Sequence, residues 1–242
     1  MPILSFCDLD GTFVQTARHI QDEDVAIVYT SEQGKDIVIT NKQLQLYQAL
    51  LDSGTVIPVT ARSLLSMNRM KPVLTFPAHK ICEHGVFIYD ENDDLIKEYS
   101  DSLIKYVYSH QNNLKIALDK LGRMSIHNNS FDGIQFKPIY HGTYLMSIEG
   151  KSSSDLHSRV IAQYVGNLDG LIVSTNGRSF SITCAVPSYK QVACQYLMDH
   201  YTQYQNCVTL GFGDSISDIP FLRTCDFSVV PNMGSTQIKL GD

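Results

Sequence analysis

The sequence predicts an α/β fold: a Rossmann-like, doubly wound parallel sheet that carries an inserted α+β domain. Three observations predict it. Short apolar runs alternate with helical periodicity over residues 1–85 and again over 185–242, as strands and helices do in a parallel sheet. Over 86–184 that alternation gives way to paired β-like runs and helical stretches. Polar clusters follow the apolar runs of the outer segments, where an open α/β sheet binds its ligands. The expected units are a discontinuous core, 1–85 with 185–242, and an inserted α+β domain, 86–184.

Ile3–Asp8 is a short apolar strand, and nothing before it resembles a charged leader, so the N-terminus reads as part of the fold. Val25–Thr30 and Asp36–Thr40 flank a turn and form a hairpin with Gly34 at its tip, expected to overhang the site and help exclude water. Thr40 or Asn41 can cap a helix over about Lys42–Ser53, which Gly54 ends. Thr55–Thr60 is the next strand, and its Pro58 requires a place where no ladder bond is needed. A helix over about Ser63–Met70 and a strand over Lys80–Glu83 complete the first segment.

In the middle, Val86–Tyr89 and Leu95–Tyr99 flank an acidic turn, Asp90–Asp94. Leu103, Val107, Leu114, Leu118 and Leu121 keep helical spacing, and short β-like runs are expected over 123–149. Ser152–Asp155 opens a helix with Leu156, Val160, Tyr164 and Val165 on one face, and strands return over 170–186 around a turn at Asn176-Gly177. The last segment reads as a helix over Ser188–Tyr201, a strand over Cys207–Gly213, a short helix over Ile219–Arg223 and a strand over Phe227–Val230.

The 242 residues are 43% hydrophobic and 18% charged, an ordinary globular balance with length enough for a sizeable core. A net charge of −6 argues against nucleic acid as the main partner and leaves room for a small phosphorylated molecule. No apolar run approaches the roughly 20 residues of a membrane span. The six cysteines include no Cys-x-x-Cys pair and read as reduced, mostly buried thiols of a cytoplasmic protein. Cys7 reads as a core residue facing away from the site, because strand neighbours point to opposite faces.

The chemistry sits at the strand ends. Phe6-Cys7-Asp8-Leu9-Asp10-Gly11-Thr12 places two carboxylates one residue apart, on the same side of an extended backbone. Like charges that close are held together by a cation, and oxygen ligands suit Mg²⁺. Thr60-Ala61-Arg62-Ser63 follows the second core strand, Lys190 lies at a helix start, and Gly213-Asp214-Ser215-Ile216-Ser217-Asp218 follows the last long strand. Carboxylates, a lysine, hydroxyls and helix-start N–H groups together suit a phosphoryl group with Mg²⁺. Singly, each has a plainer use. Thr60 can cap the next helix, Lys190 can be a solvated helix lysine, Asp214 a turn residue and Asp218 a partner of a helix dipole.

In this order and on these elements the motifs resemble the HAD phosphohydrolase superfamily. The inserted segment resembles the C2 cap of its type IIB branch, which includes sucrose-, trehalose- and mannosylglycerate-phosphate phosphatases, Cof-like phosphatases and phosphomannomutases. Arg178–Ile182 followed by Ser188–Ala193 is similar to that branch's cap exit and lysine helix. The resemblance implies roles. Asp8 would be the nucleophile and form an aspartyl-phosphate; Asp10 would be the acid toward the leaving group and then the base for water. Mg²⁺ would be held by Asp8, the Asp10 carbonyl and Asp214, with Asp218 a ligand or a support for one. Thr60 and Lys190 would bind phosphoryl oxygens, and Arg62 would contact phosphate or pair structurally.

Two positions depart from the pattern: Ser217 stands where many IIB members have Asn, and Glu83-His84-Gly85 replaces Glu-Asn-Gly, with His84 reading as a structural histidine. The implied function is a Mg²⁺-dependent phosphomonoesterase for a small phosphorylated metabolite, a sugar phosphate by family analogy. Lys137, His141, Asn176 and Arg178 are the candidate specificity residues. The rival readings are a phosphomutase using the same Asp8 and Asp10, and a non-catalytic metabolite-binding protein that keeps the fold.

Overall fold

A computed structural model describes residues 2–17, 24–31, 34–127, 134–185 and 188–232. In chain order the elements are β1 (Ile3–Cys7), β2 (Gln15–Thr16), β3 (Val25–Thr30), β4 (Asp36–Thr40), α1 (Asn41–Ser53), β5 (Gly54–Pro58), α2 (Leu64–Asn68), β6 (Lys80–Cys82) and β7 (Phe87–Tyr89). There follow α3 (Lys97–Val107), α4 (Gln111–His127), β8 (Gln135–His141), β9 (Tyr144–Lys151), α5 (Asp155–Val165), β10 (Leu171–Asn176) and β11 (Ser179–Cys184). The chain ends with α6 (Tyr189–His200), β12 (Val208–Phe212), α7 (Ile219–Leu222) and β13 (Phe227–Val229).

It divides into two compact units, Met1–Tyr99 with Tyr189–Asp242, and Ser100–Ser188. The first is built on a parallel sheet of order β13-β12-β1-β5, which β6 joins through a Val59–Ile81 bridge. This is the doubly wound α/β core that the alternation predicts. β1 is central and covered on both faces, so Leu4, Ser5, Phe6 and Cys7 are all fully buried. Pro58 is accommodated as expected. Val59 N–H bonds the Cys7 carbonyl and Thr60 N–H the Ile81 carbonyl, so the side of Pro58 that lacks a donor faces β6 before pairing with it begins.

The first unit runs past residue 86 to Tyr99. β7 pairs antiparallel with β6, and the Tyr99 hydroxyl donates to the Gly85 carbonyl at 2.5 Å, so this segment folds with the core strands. The second unit is an antiparallel sheet of order β10-β11-β9-β8 with α4 and α5 packed on it.

Several local expectations change. The helix after Ser63 covers Leu64–Asn68 only, because Pro72 disfavours helix in the residue before it and the chain continues in turns. Residues 97–99 and 123–127 are helical, not β-like. Leu114, Ala117, Leu121 and Met124 continue one buried stripe of α4, which carries the helix past residue 123. α5 buries Ser158, Ile161 and Val165, whereas Leu156 and Tyr164 are exposed. The Tyr164 ring lies instead beneath the Lys120 ammonium.

The hairpin is part of a three-stranded sheet of order β2-β4-β3. Val28, Ile37 and Ile39 are buried in the cluster that also holds Cys7, Leu9 and Phe13, which brings this sheet beside the end of β1. At its turn, Gly34 donates to the Ser31 carbonyl with φ +69°; residues 32–33 lie outside the described residues.

Candidate active site

Because β1 and β12 are neighbours, the loops that leave them are neighbours too. Asp8 N–H donates to the Phe212 carbonyl at 2.9 Å, and Asp214 follows two residues after Phe212. Between the two carboxylates lies the turn 9–14, closed by bonds from Thr12, Phe13 and Val14 N–H to the Leu9 carbonyl. Gly11 adopts φ +89° there, and a Cβ on it would lie 2.2 Å from Asp214 Oδ2. Only glycine lets the turn approach that carboxylate so closely. The Thr12 hydroxyl spans the pair, 3.3 Å from Asp8 Oδ2 and 3.5 Å from Asp214 Oδ1.

Lys190 enters from the first turn of α6. Its Nζ donates to Asp8 Oδ1 at 2.9 Å and to Asp218 Oδ1 at 2.6 Å, with all three side chains buried. The other oxygen of Asp218 accepts from Ser215 N–H and its hydroxyl at 3.0 and 2.7 Å. Ser217, the departure from the Asn pattern, shares a hydrogen bond with the Ser215 hydroxyl at 2.7 Å. The position of α6 is set by residues 83–85, all at positive φ. A Cβ on Gly85 would lie 2.4 Å from the Lys190 backbone nitrogen, so the start of α6 rests on bare glycine.

Three buried carboxylates, Asp8, Asp214 and Asp218, each offer an oxygen within 4.8 Å of the others, and one ammonium faces them. Burial pushes Asp8 well above the usual carboxylate range, against the opposing pull of Lys190. Burial, then the Asp218 charge, pushes Asp214 up to about 6. Burial would raise Asp218 too, but the Lys190 ammonium and the Ser215 bonds hold it below its ordinary value. The Asp218 and Asp8 carboxylates hold the Lys190 pKa up despite its burial. Asp214 Oδ2 is buried without a hydrogen-bond partner. An orphaned carboxylate oxygen in an over-acidic cluster is what a small hard cation relieves, so these residues fit Mg²⁺.

Asp10 takes a different course. Although it is one residue from Leu9 and two from Asp8, its half-exposed side chain leaves the cluster and is gripped by Arg62, from Nε to Oδ2 at 2.7 Å and from Nη2 to Oδ1 at 2.5 Å. The two carboxylates therefore do not lie on the same side, as an extended backbone through Asp10 would have set them. The carboxylates beside Asp8 come from the β12 loop. Arg62 Nη1 in turn donates to the Tyr29 hydroxyl of the hairpin and to Ser66 Oγ at 3.3 Å. Thus the hairpin reaches the site through Tyr29, a residue the motif pattern gives no reason to single out.

Thr60 is fully buried, and its hydroxyl accepts from Arg62 N–H at 3.1 Å; the cap of α2 is Ser63. The Thr60–Arg62 loop is fastened by Glu83 and His84, whose N–H groups bond the Arg62 and Thr60 carbonyls at 3.0 Å each. The His84 ring lies within electrostatic reach of Lys190 and Asp218; burial, then the Lys190 charge, push its pKa down to about 3, so it stays neutral. The Cys7 thiol is buried and pushed well up by that burial, which removes it as a nucleophile.

In the second unit, His141 Nε2 pairs with Asp101 Oδ1 at 2.7 Å and Arg178 Nε donates to the Ser152 carbonyl at 3.1 Å. Lys137 lies exposed on β8 and Asn176 ends β10. The structure brings Asp8, Thr12, Lys190, Asp214 and Asp218 together, with Asp10, Thr60 and Arg62 alongside.

No protein-family model and no curated protein sequence matches the chain. Solved structures do resemble it. A Synechocystis sucrose-phosphatase in complex with sucrose and phosphate matches 95% of this chain and 83% of its own, at 18% identity and a TM-score of 0.57. A haloacid dehalogenase-like hydrolase from B. subtilis matches 95% of this chain and 89% of its own, at 16% identity and a TM-score of 0.52. The C-terminal domain of the C. albicans trehalose-6-phosphate phosphatase matches 92% and 73%, at 12% identity and a TM-score of 0.53. The fold is that of the haloacid dehalogenase-like hydrolases.

Proposed function

We propose that this protein is a Mg²⁺-dependent phosphomonoesterase acting on a small phosphorylated metabolite through an aspartyl-phosphate. The observation that carries the reading is the buried set Asp8, Asp214, Asp218 and Lys190, with its orphaned Asp214 oxygen. Asp8, Asp214 and the Asp10 carbonyl would hold Mg²⁺, which would neutralise phosphoryl oxygens and lower the barrier to an anionic nucleophile. Asp218, whose oxygens accept from Lys190 and Ser215, would orient Lys190 and the loop after β12 or add a ligand to the cation.

Lys190 and Thr60 bind and orient the phosphoryl group. Asp8 attacks phosphorus, and the alcohol departs with a proton from Asp10, which takes that proton from solvent when it leaves Arg62. Asp10 then takes a proton from water, which attacks the aspartyl-phosphate, releases phosphate and restores Asp8. To exchange that proton, Asp10 draws at least one oxygen away from Arg62. A sugar phosphate is the favoured substrate because two of the similar structures are phosphatases of sucrose and trehalose phosphates. The second unit, with Lys137, His141, Asn176 and Arg178, would act as the cap that selects it.

The test is phosphate release from a panel of phosphorylated metabolites, with and without Mg²⁺, for wild type and Asp8→Asn. Mg²⁺-dependent release that disappears in the variant supports the reading. Isomerised hexose phosphate in place of free phosphate indicates a mutase, and binding without turnover across the panel a non-catalytic protein. Release that persists in pure Asp8→Asn overturns the mechanism.

A further inference from the structure

A residue outside every strand-end motif holds the catalytic turn in place. Gln43, in the first turn of α1, is buried, with 8% of its surface exposed. Its Oε1 accepts from Thr40 N–H and from the Thr40 hydroxyl, each at 3.0 Å, and its own N–H donates to Thr40 Oγ1 at 3.2 Å. That is a capping box, for which Gln or Glu serves equally. The carboxamide does one thing more. Its Nε2 donates to the Thr12 carbonyl at 2.9 Å, across 31 residues of sequence.

Thr12 is the residue whose hydroxyl spans Asp8 and Asp214. We infer that Gln43 is a positioning residue for that carboxylate pair: it locks the Thr12 backbone to the end of β4 and the start of α1, so that the hydroxyl stays between the two aspartates. The hairpin is thereby coupled to the site a second time, since Thr40 ends its β4 strand while Tyr29 of β3 meets Arg62. The inference rests on the phosphatase reading for its catalytic consequence, but the link to the carboxylate pair is independent of turnover.

Chemistry supplies a clean test. Only an amide both accepts from Thr40 and donates to Thr12; a carboxylate accepts alone. Gln43→Glu therefore keeps the capping box and the helix, but sets a carboxylate oxygen against the Thr12 carbonyl. Thr40→Ala does the converse: it removes the capping hydroxyl and leaves the donation to Thr12 in place. Both variants and wild type are compared in the full chain by circular dichroism, by calorimetric titration with Mg²⁺ alone, and by kcat and KM on the best panel substrate.

For Gln43→Glu the expected result is a wild-type fold, Mg²⁺ affinity weakened about 10–100-fold, and kcat reduced by a similar factor with KM changed far less. Thr40→Ala is expected to lower thermal stability and to keep Mg²⁺ affinity near wild type. Wild-type Mg²⁺ affinity in Gln43→Glu overturns the inference, as does an equal loss in Thr40→Ala, which would mean general loosening of α1. If wild type hydrolyses nothing, the phosphatase reading fails while the calorimetry still decides on Gln43.

Discussion

Replacing Gly11 with alanine separates the proposed cation site from the fold. The added Cβ would lie 2.2 Å from Asp214 Oδ2 and 2.6 Å from its Cγ. Ordinary contact begins at 3.4 Å, so the carboxylate must retreat by the difference, about 1.2 Å. Since the obstacle is the end of a side chain and not backbone, the fold can yield. The remaining cost is that of an L-residue at φ +89°, about 1–2 kcal/mol. For a chain of this size that amounts to a fall in Tm of about 2–8 °C.

The loss of function should be far larger than that. Asp214 carries the oxygen that most needs a cation, and a displacement near 1 Å in a catalytic group costs about 10²-fold in rate. The expected outcome for Gly11→Ala is a folded protein with kcat down about 100-fold and Mg²⁺ half-saturation shifted to higher concentration. Phosphate release across a Mg²⁺ series, with a thermal melt of the same sample, measures both. A variant that melts a few degrees lower yet keeps wild-type Mg²⁺ dependence would refute the assignment of Asp214 as a cation ligand.

Gly85→Ala makes the contrasting case. Its Cβ would meet the backbone of Tyr189 and Lys190 at 2.4 Å, at a φ of +94°, so α6 itself must move. Overpacking and backbone strain together destabilise by about 2–5 kcal/mol, and a melt should show a fall of about 4–20 °C. Arg62→Ala distinguishes two uses of that side chain. If Arg62 holds Asp10, kcat falls at least about tenfold with KM little changed; if it binds phosphate, KM carries the loss. His79 is buried against Tyr201 and bonded through Nδ1 to the Tyr204 hydroxyl at 2.7 Å, and burial lowers its pKa below 6.5. A lowered histidine contributes stability above its unfolded pKa, near 6.5, which is lost as pH falls below that value because the unfolded chain binds the proton first. Urea unfolding at pH 7 and pH 5 should therefore show a smaller acid loss in His79→Gln than in wild type; an equal loss would assign the effect to other groups.

The parts of the site that follow from local sequence were legible. A β-run followed by Asp-x-Asp-Gly, and another followed by Gly-Asp, read as strand ends because apolar continuity and the turn residue are both local. A cap of α1 at Thr40 or Asn41 and the accommodation of Pro58 were legible for the same reason; the structure selects Thr40. What could not be read is what the topology decides. Arg62 and Asp10 are 52 positions apart, and Tyr29 and Arg62 are 33 apart. Nothing in spacing or propensity joins them until β1 and β5 lie side by side. The need for glycine at position 85 likewise comes from a helix that begins more than a hundred residues later. Over 123–127 the sequence does carry a signal: Met124 continues the buried stripe of Leu114, Ala117 and Leu121, so the helical period outlasts the weak local preference of those residues.

The separate fates of Asp8 and Asp10 bear most directly on mechanism. Alternation along a strand would set both carboxylates on one side, competing for one cation. The strand ends at Cys7, however, and the turn that follows sends the two side chains into unlike surroundings. Asp8 is buried between Lys190 and Thr12, where a nucleophile must be kept from water and held on line. Asp10 is half exposed, on a guanidinium anchored by a hairpin tyrosine. On the proposed mechanism, two carboxylates in environments this different would divide the work of nucleophile and proton carrier between them. In that division Arg62 keeps Asp10 out of the cation cluster, so removing the guanidinium should let Asp10 turn back toward Asp8 and compete for Mg²⁺.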